Sequence, residues 1–254
     1  MIPLKDNIPA DRFPIVTVGL IIANFVVYIL AIRHGGSFIN GPDLQEVVKY
    51  GAIPKVLTHC LTKNEATRVV NGGYSIACTN SGGTPTWQTV FTAMFMHANI
   101  LHIAGNMLFL WIFGNNVEDS MGYVKYLLFY IAGGLAAFAL QVAVAPNSTA
   151  PTLGASGAIA AVLGGYILIY PRARVLTLVI IIFFFTIIEI PAWAVLGIWF
   201  LEQAAFGYAG WTTHSTASGG VAYYAHIGGF LFGLLLIRLL ATNRKRPAPR
   251  YPVY

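Results

Sequence analysis

Pro151-Thr152-Leu153-Gly154-Ala155-Ser156-Gly157-Ala158 is the stretch that decides how this chain is read. A lone serine stands there between small residues, where a polar loop turns into a long apolar run. Glycine permits backbone dihedrals that other residues avoid, and small neighbours let a second backbone come close. Two readings fit. Ser156 is a nucleophile inside a membrane, or it belongs to a small-residue notch that packs transmembrane helices. The serine alone does not choose between them.

The 254 residues are 57% hydrophobic and only 9% charged, with a mean hydropathy of +0.68. A soluble domain carries about 25% charged residues, so most of this surface faces something other than water. No small-residue cleavage site follows the first apolar run, so that span is expected to be retained. The net charge of +6 reads as membrane topology rather than nucleic-acid binding. Its basic residues gather at span ends and in the tail, not on one face.

The expected fold is an all-α polytopic membrane protein, a single domain over 1–254 with six transmembrane helices and a long membrane-associated first loop. A segment 1–14 leads into span one, Ile15 to Ile32. The loop 33–86 holds short helices at Leu44 to Tyr50 and Ile53 to Leu57. Span two is Ile100 to Phe113, followed by a turn from Gly114 to Gly122. Span three is Tyr123 to Ala145 and span four Leu153 to Tyr170. Span five is Val175 to Phe200, interrupted by Pro191. A loop from Glu202 to Gly220 precedes span six, Val221 to Leu240, and a basic tail, 242–254. The distribution of Lys and Arg favours both termini on the cytoplasmic side of a cell membrane, with the active site opening to the extracytoplasmic side. Cys60 and Cys78 share the outside loop, which predicts a disulfide; two free thiols are the alternative.

In this topology Ser156 occupies the first turn of span four, where unpaired N–H groups favour a developing oxyanion. A serine hydroxyl needs a base. His226, in Ala225-His226-Ile227-Gly228-Gly229, lies at similar depth in span six. Ala225, Gly229 and Gly233 recur every four residues, and Gly157, Ala161 and Gly165 form a matching strip on span four. Packing the strips together brings Ser156 and His226 onto facing helices. His102 and Asn106, four apart at the start of span two, share one helical face and are the candidate oxyanion donors. For His226 the competing role is a histidine satisfied by a backbone carbonyl or water; for His102 and Asn106 it is interhelical hydrogen bonding. A metal site from His97, His102 and His226 is disfavoured, because the His-Glu-x-x-His spacing is absent. No cofactor is expected. Glu189 falls mid-span, either tuning substrate entry or bonding carbonyls that Pro191 leaves without a donor. The run Phe183-Phe184-Phe185 reads as lipid-facing or core surface.

Gly154-Ala155-Ser156-Gly157, Ala225-His226-Ile227-Gly228-Gly229, the His97, His102, Asn106 pattern, and Val117-Glu118 with Gly122 together resemble the rhomboid family of intramembrane serine proteases. The resemblance runs from span one to span six and matches in order, spacing and depth. It implies a six-helix bundle and a Ser156–His226 dyad without an acidic third member. It also implies an oxyanion hole from His102, Asn106 and the Ser156 backbone N–H. His97 matches a family histidine of more structural role, Trp87 the aromatic start of the embedded first loop, and span five a lateral gate. Where some bacterial members carry a tyrosine that stacks on the histidine, this chain has Ala160, so how His226 is held is open. No N-terminal domain or seventh span is expected.

The function implied is an intramembrane serine endopeptidase, cutting transmembrane protein substrates near their extracytoplasmic ends within the lipid bilayer. The alternative is an inactive relative that binds transmembrane helices. A small-solute transporter would show inverted repeats or paired broken helices, and neither is visible.

Overall fold

The computed structural model describes residues 1–62, 69–71, 74–76, 85–181, 184–212 and 221–242. In chain order these form β1 (Ile2–Asp6), α1 (Ile15–Ile32), α2 (Leu44–Tyr50), α3 (Pro54–Thr62), β2 (Val69–Asn71), β3 (Tyr74–Ile76) and α4 (Thr86–Thr92). Then come α5 (Ile100–Phe109), a π turn (Leu110–Gly114), α6 (Asn115–Met121), α7 (Tyr123–Val144), α8 (Ser156–Ile169), β4 (Arg174–Ile181), β5 (Phe184–Pro191), α9 (Ala192–Thr212) and α10 (Tyr223–Leu240). The architecture is mostly helical. Among the described residues, four helical segments are long and apolar enough to cross a membrane: α1, the rod Ile100–Met121, α7 and α10.

The helix α8 is the axis of the molecule. Every residue from Ala158 to Tyr166 is buried, chiefly by α10 and α7. The two small-residue strips meet as their spacing predicts. A Cβ at Gly229 would strike the carbonyl oxygen of Gly157, and one at Gly233 would strike that of Ala161. In lipid such close approach is driven by van der Waals packing rather than by hydrophobic burial, so small side chains are what set the distance.

Several boundaries differ from expectation. The turn placed at Gly114 to Gly122 is helical, running through the π turn into α6 and stopping at Gly122, whose φ of +82° favours glycine. Span five is not one helix from Val175. Its first half is the antiparallel hairpin β4–β5, paired from Arg174↔Pro191 to Ile181↔Phe184, and β1 adds to the other side of β4 in the order β1-β4-β5. The run is rich in β-branched and aromatic residues, which suit strands, and a continuous apolar run is compatible with either strand or buried helix. Pro191 lacks an N–H and closes the edge strand. The helix that follows, α9, extends to Thr212 through what was expected to be loop. The all-α expectation is corrected accordingly, and the segment 1–14 contributes a strand. Glu189 lies on the hairpin, paired with Arg174 at 3.1 Å, rather than mid-helix. The first-loop helices are present as α2 and α3, with Asp43 capping α2 by accepting from the Glu46 N–H. The side chain of Cys60 and all of Cys78 lie outside the described residues.

At the end of the bundle holding β1, carboxylates tie elements together. Glu118 of α6 accepts from the N–H groups of Val16 and Thr17 and from the Thr17 hydroxyl, at 3.0, 2.8 and 2.6 Å. Those are donors at the start of α1, which have no intrahelical acceptor. Asp6 accepts from Asn116 Nδ2 at 2.6 Å and from the Tyr166 hydroxyl near the far end of α8. Asp119 accepts from the Asp11 N–H at 2.9 Å. The opposite end, where α5, α8 and α10 begin, is left for the site.

Candidate functional site

The loop before α8 is fixed before the serine is reached. Thr152 and Ala52 exchange backbone hydrogen bonds of 2.8 and 3.0 Å, and the Gly154 N–H donates to the Ala93 carbonyl at 2.8 Å. The Ala155 N–H donates to His97 Nε2 at 3.5 Å, while His97 Nδ1 donates to the Phe95 carbonyl at 3.3 Å. His97 is fully buried and serves this loop. Gly154 has φ of +121°, and a Cβ there would fall 2.9 Å from His102 Cε1, so conformation and space both require glycine. Ser156 then opens α8, whose N-terminus has no side-chain cap.

Four residues into α10, His226 meets the serine. The Ser156 hydroxyl lies 2.7 Å from His226 Nε2. On the other side of the ring, Nδ1 lies 2.7 Å from Gln203 Oε1 of α9. An amide oxygen only accepts, so Nδ1 carries the proton and donates it, leaving Nε2 to accept from the serine. Trp199, one turn before Gln203, lays its ring 5.7 Å from the imidazole at 36°. The aromatic neighbour missing at Ala160 is thus supplied by α9.

Of the two candidate oxyanion donors, His102 borders the cavity and Asn106 does not. Asn99 caps α5 by accepting from the His102 N–H at 2.8 Å. His102 Nδ1 accepts from the Ala98 N–H at 3.3 Å, so the neutral ring carries its proton on Nε2, beside Gly154. Asn106 is buried and donates from Nδ2 to the His102 carbonyl at 3.0 Å, one turn back on its own helix. The cavity, about 340 Å³, is lined by Ser156, His226, His102, Asn99 and the 151–154 loop among others. Among the described residues, none that lines it is Asp, Glu, Lys or Arg.

Gln203 and Trp199 were not singled out from the sequence. The available signal was a Trp and a Gln four apart, hence on one helical face. Placing a loop from Glu202 onward hid it.

Residues 84–243 match the family model of the Rhomboid domain. The chain belongs to the rhomboid family. It is 31% identical over 160 residues to Rhomboid-like protein 11, chloroplastic, of Arabidopsis thaliana, a match covering 62% of this chain and 54% of that protein. It is 30% identical over 153 residues to Rhomboid protein 1, mitochondrial, of Saccharomyces cerevisiae, covering 58% and 40%. With the human Presenilin-associated rhomboid-like protein, mitochondrial, the identity is 31% over 157 residues, covering 59% and 38%. The chain thus spans about half, or less, of the length of these relatives. The expectation of a cell membrane, with cytoplasmic termini and an extracytoplasmic site, is corrected by these rhomboid relatives, which are mitochondrial and chloroplastic. Charge distribution orients helices within a bilayer; it does not say which membrane holds them.

Proposed function

We propose that this rhomboid is a serine endopeptidase that cleaves membrane-spanning segments of other proteins, with Ser156 as nucleophile and His226 as general base. The observation that carries the reading is the 2.7 Å contact between Ser156 Oγ and His226 Nε2 at the edge of a cavity. Ser156 Oγ attacks the scissile carbonyl carbon and its proton passes to Nε2. The oxyanion is received by the Ser156 N–H at the start of α8 and by His102 Nε2–H, while Asn106, set back from the cavity, supports that turn of α5 through its bond to the His102 carbonyl. His226 then protonates the leaving amine, and a water molecule activated by the same nitrogen hydrolyses the acyl-enzyme. The helices α8 and α9 complete six crossings with the four long segments, in one domain over 1–254. The names of the relatives support a mitochondrial or chloroplast membrane as the setting.

A carbonyl inside a substrate helix is already hydrogen-bonded, so the scissile segment must unwind first, and helix-breaking or small residues there are preferred. Purified protein incubated with a transmembrane substrate should cleave it, and Ser156→Ala should abolish cleavage. A fluorophosphonate probe should label the parent protein at Ser156 and not the variant. Cleavage that survives Ser156→Ala overturns the assignment. A folded protein that neither cleaves nor labels is instead a helix-binding relative.

A further inference from the structure

We propose that Gln203 is a positioning residue of the site: its amide oxygen holds His226 in the tautomer that a general base requires, in place of an acidic third member. The proposal deepens the protease reading and rests on it. Gln203 is buried, with its Oε1 2.7 Å from Nδ1 while Nε2 faces Ser156 at 2.7 Å. The two bonds are mutually dependent. A neutral imidazole has one N–H, and fixing it on Nδ1 frees the Nε2 lone pair to take the serine proton. An amide turned the other way, offering its N–H to Nδ1, would put the ring proton on Nε2 and block proton transfer.

The choice of an amide over a carboxylate follows from where the group sits. A buried ionised carboxylate costs far more to desolvate than a buried amide. The described residues lining the adjoining cavity include no Asp, Glu, Lys or Arg, its two histidines being the only titratable side chains among them, and an amide adds no fixed charge there. Its carbonyl dipole still favours the imidazolium formed during attack, less strongly than a carboxylate would. Trp199, on the same face of α9, limits tilting of the ring.

The test uses the full-length protein with Gln203→Leu and the near-isosteric Gln203→Glu, read as kcat, KM and pH profile on one transmembrane substrate. Gln203→Leu should lower kcat by about 30- to 100-fold, a smaller loss than the ~10⁴-fold known when a triad histidine takes the wrong tautomer, and leave KM within about twofold. Gln203→Glu should keep substantial activity and move the acidic limb of the profile upward by about one pH unit, because a carboxylate favours the imidazolium. Nitrogen-15 NMR of the His226 ring should place the proton on Nδ1 in the parent protein. A Gln203→Leu protein that melts normally and keeps its kcat within about threefold of the parent overturns the proposal. If Gln203→Leu fails to fold, an unshifted profile in Gln203→Glu overturns it instead. Should the parent protein show no Ser156-dependent cleavage, the protease reading has failed, and the ring tautomer alone decides the role of Gln203: a proton on Nε2 removes it.

Discussion

The two ends of the bundle treat buried polar groups in opposite ways. Where α5, α8 and α10 begin, hydrogen bonds join neutral partners: Ser156 to His226, His226 to Gln203, Asn106 to the His102 carbonyl. At the end where α1 begins, Glu118, Asp6 and Asp119 are buried carboxylates, each receiving donors from an element distant in sequence. Charge-assisted bonds are about twice as strong as neutral ones, and they lock α1, α6, α8 and β1 to one another. A reaction site has the contrary requirement, since its hydrogen bonds must change partners as protons move. The anchor and the site are therefore separated by the length of α8.

The largest expected effect comes from removing the strongest anchor. Glu118→Ala leaves the Val16 and Thr17 N–H groups and the Thr17 hydroxyl without their acceptor. A loss of about 3 kcal/mol is expected from breaking hydrogen bonds to a buried charge. It should be read by thermal unfolding in detergent. Fluorophosphonate labelling at Ser156 should persist below the lowered melting temperature. Labelling lost while the protein remains folded would mean that the two ends are coupled rather than independent.

What the sequence made legible follows the same division. The α8–α10 contact could be read because small residues at four-residue spacing have few other uses in a membrane helix, and Gly157, Ala161, Gly229 and Gly233 fall where the spacing puts them. Ser156 and His226 came with that register. The stretch from Val175 to Pro191 could not be read in the same way. Its hydropathy is that of a span, and only its β-branched and aromatic content distinguishes a hairpin from a helix. That one boundary carried a second omission, because starting a loop at Glu202 removed Gln203 from helical register with Trp199. Long-range partners such as Asp6 with Tyr166 leave no local trace in the sequence at all.

A smaller effect is expected from Asp6. Burial raises its carboxyl from 3.8 to about 6, against the opposing influence of its bonds to Tyr166 and Asn116. The folded chain therefore holds this proton more tightly than the unfolded one, so protonation favours the fold. The contribution is complete below the unfolded value of 3.8 and is lost as pH rises through about 6. Between pH 7 and pH 5 the fold should gain about 1.4 kcal/mol from this group, one unit of differential binding. In Asp6→Asn that increment should vanish while contributions from other titrating groups remain. An increment that is unchanged in the variant would show that Asp6 is not part of the pH-sensitive anchor.

The smallest effect is expected at the hairpin, and its size bears on how the chain crosses the membrane. Arg174 and Glu189 pair at 3.1 Å with side chains 28% and 49% exposed. An ion pair this open is worth under about 0.5 kcal/mol. Glu189→Gln should therefore leave the melting temperature nearly unchanged. The backbone ladder between β4 and β5 holds the hairpin whether or not the charge is present. Had Glu189 stood at mid-depth in a continuous helix from Val175, neutralising it would relieve a burial cost of about 2–3 kcal/mol and stabilise the protein visibly. A marked rise in melting temperature for Glu189→Gln would thus favour the continuous helix over the hairpin. It would also move α9, and with it Gln203, out of reach of His226, since the register of that helix depends on where it starts.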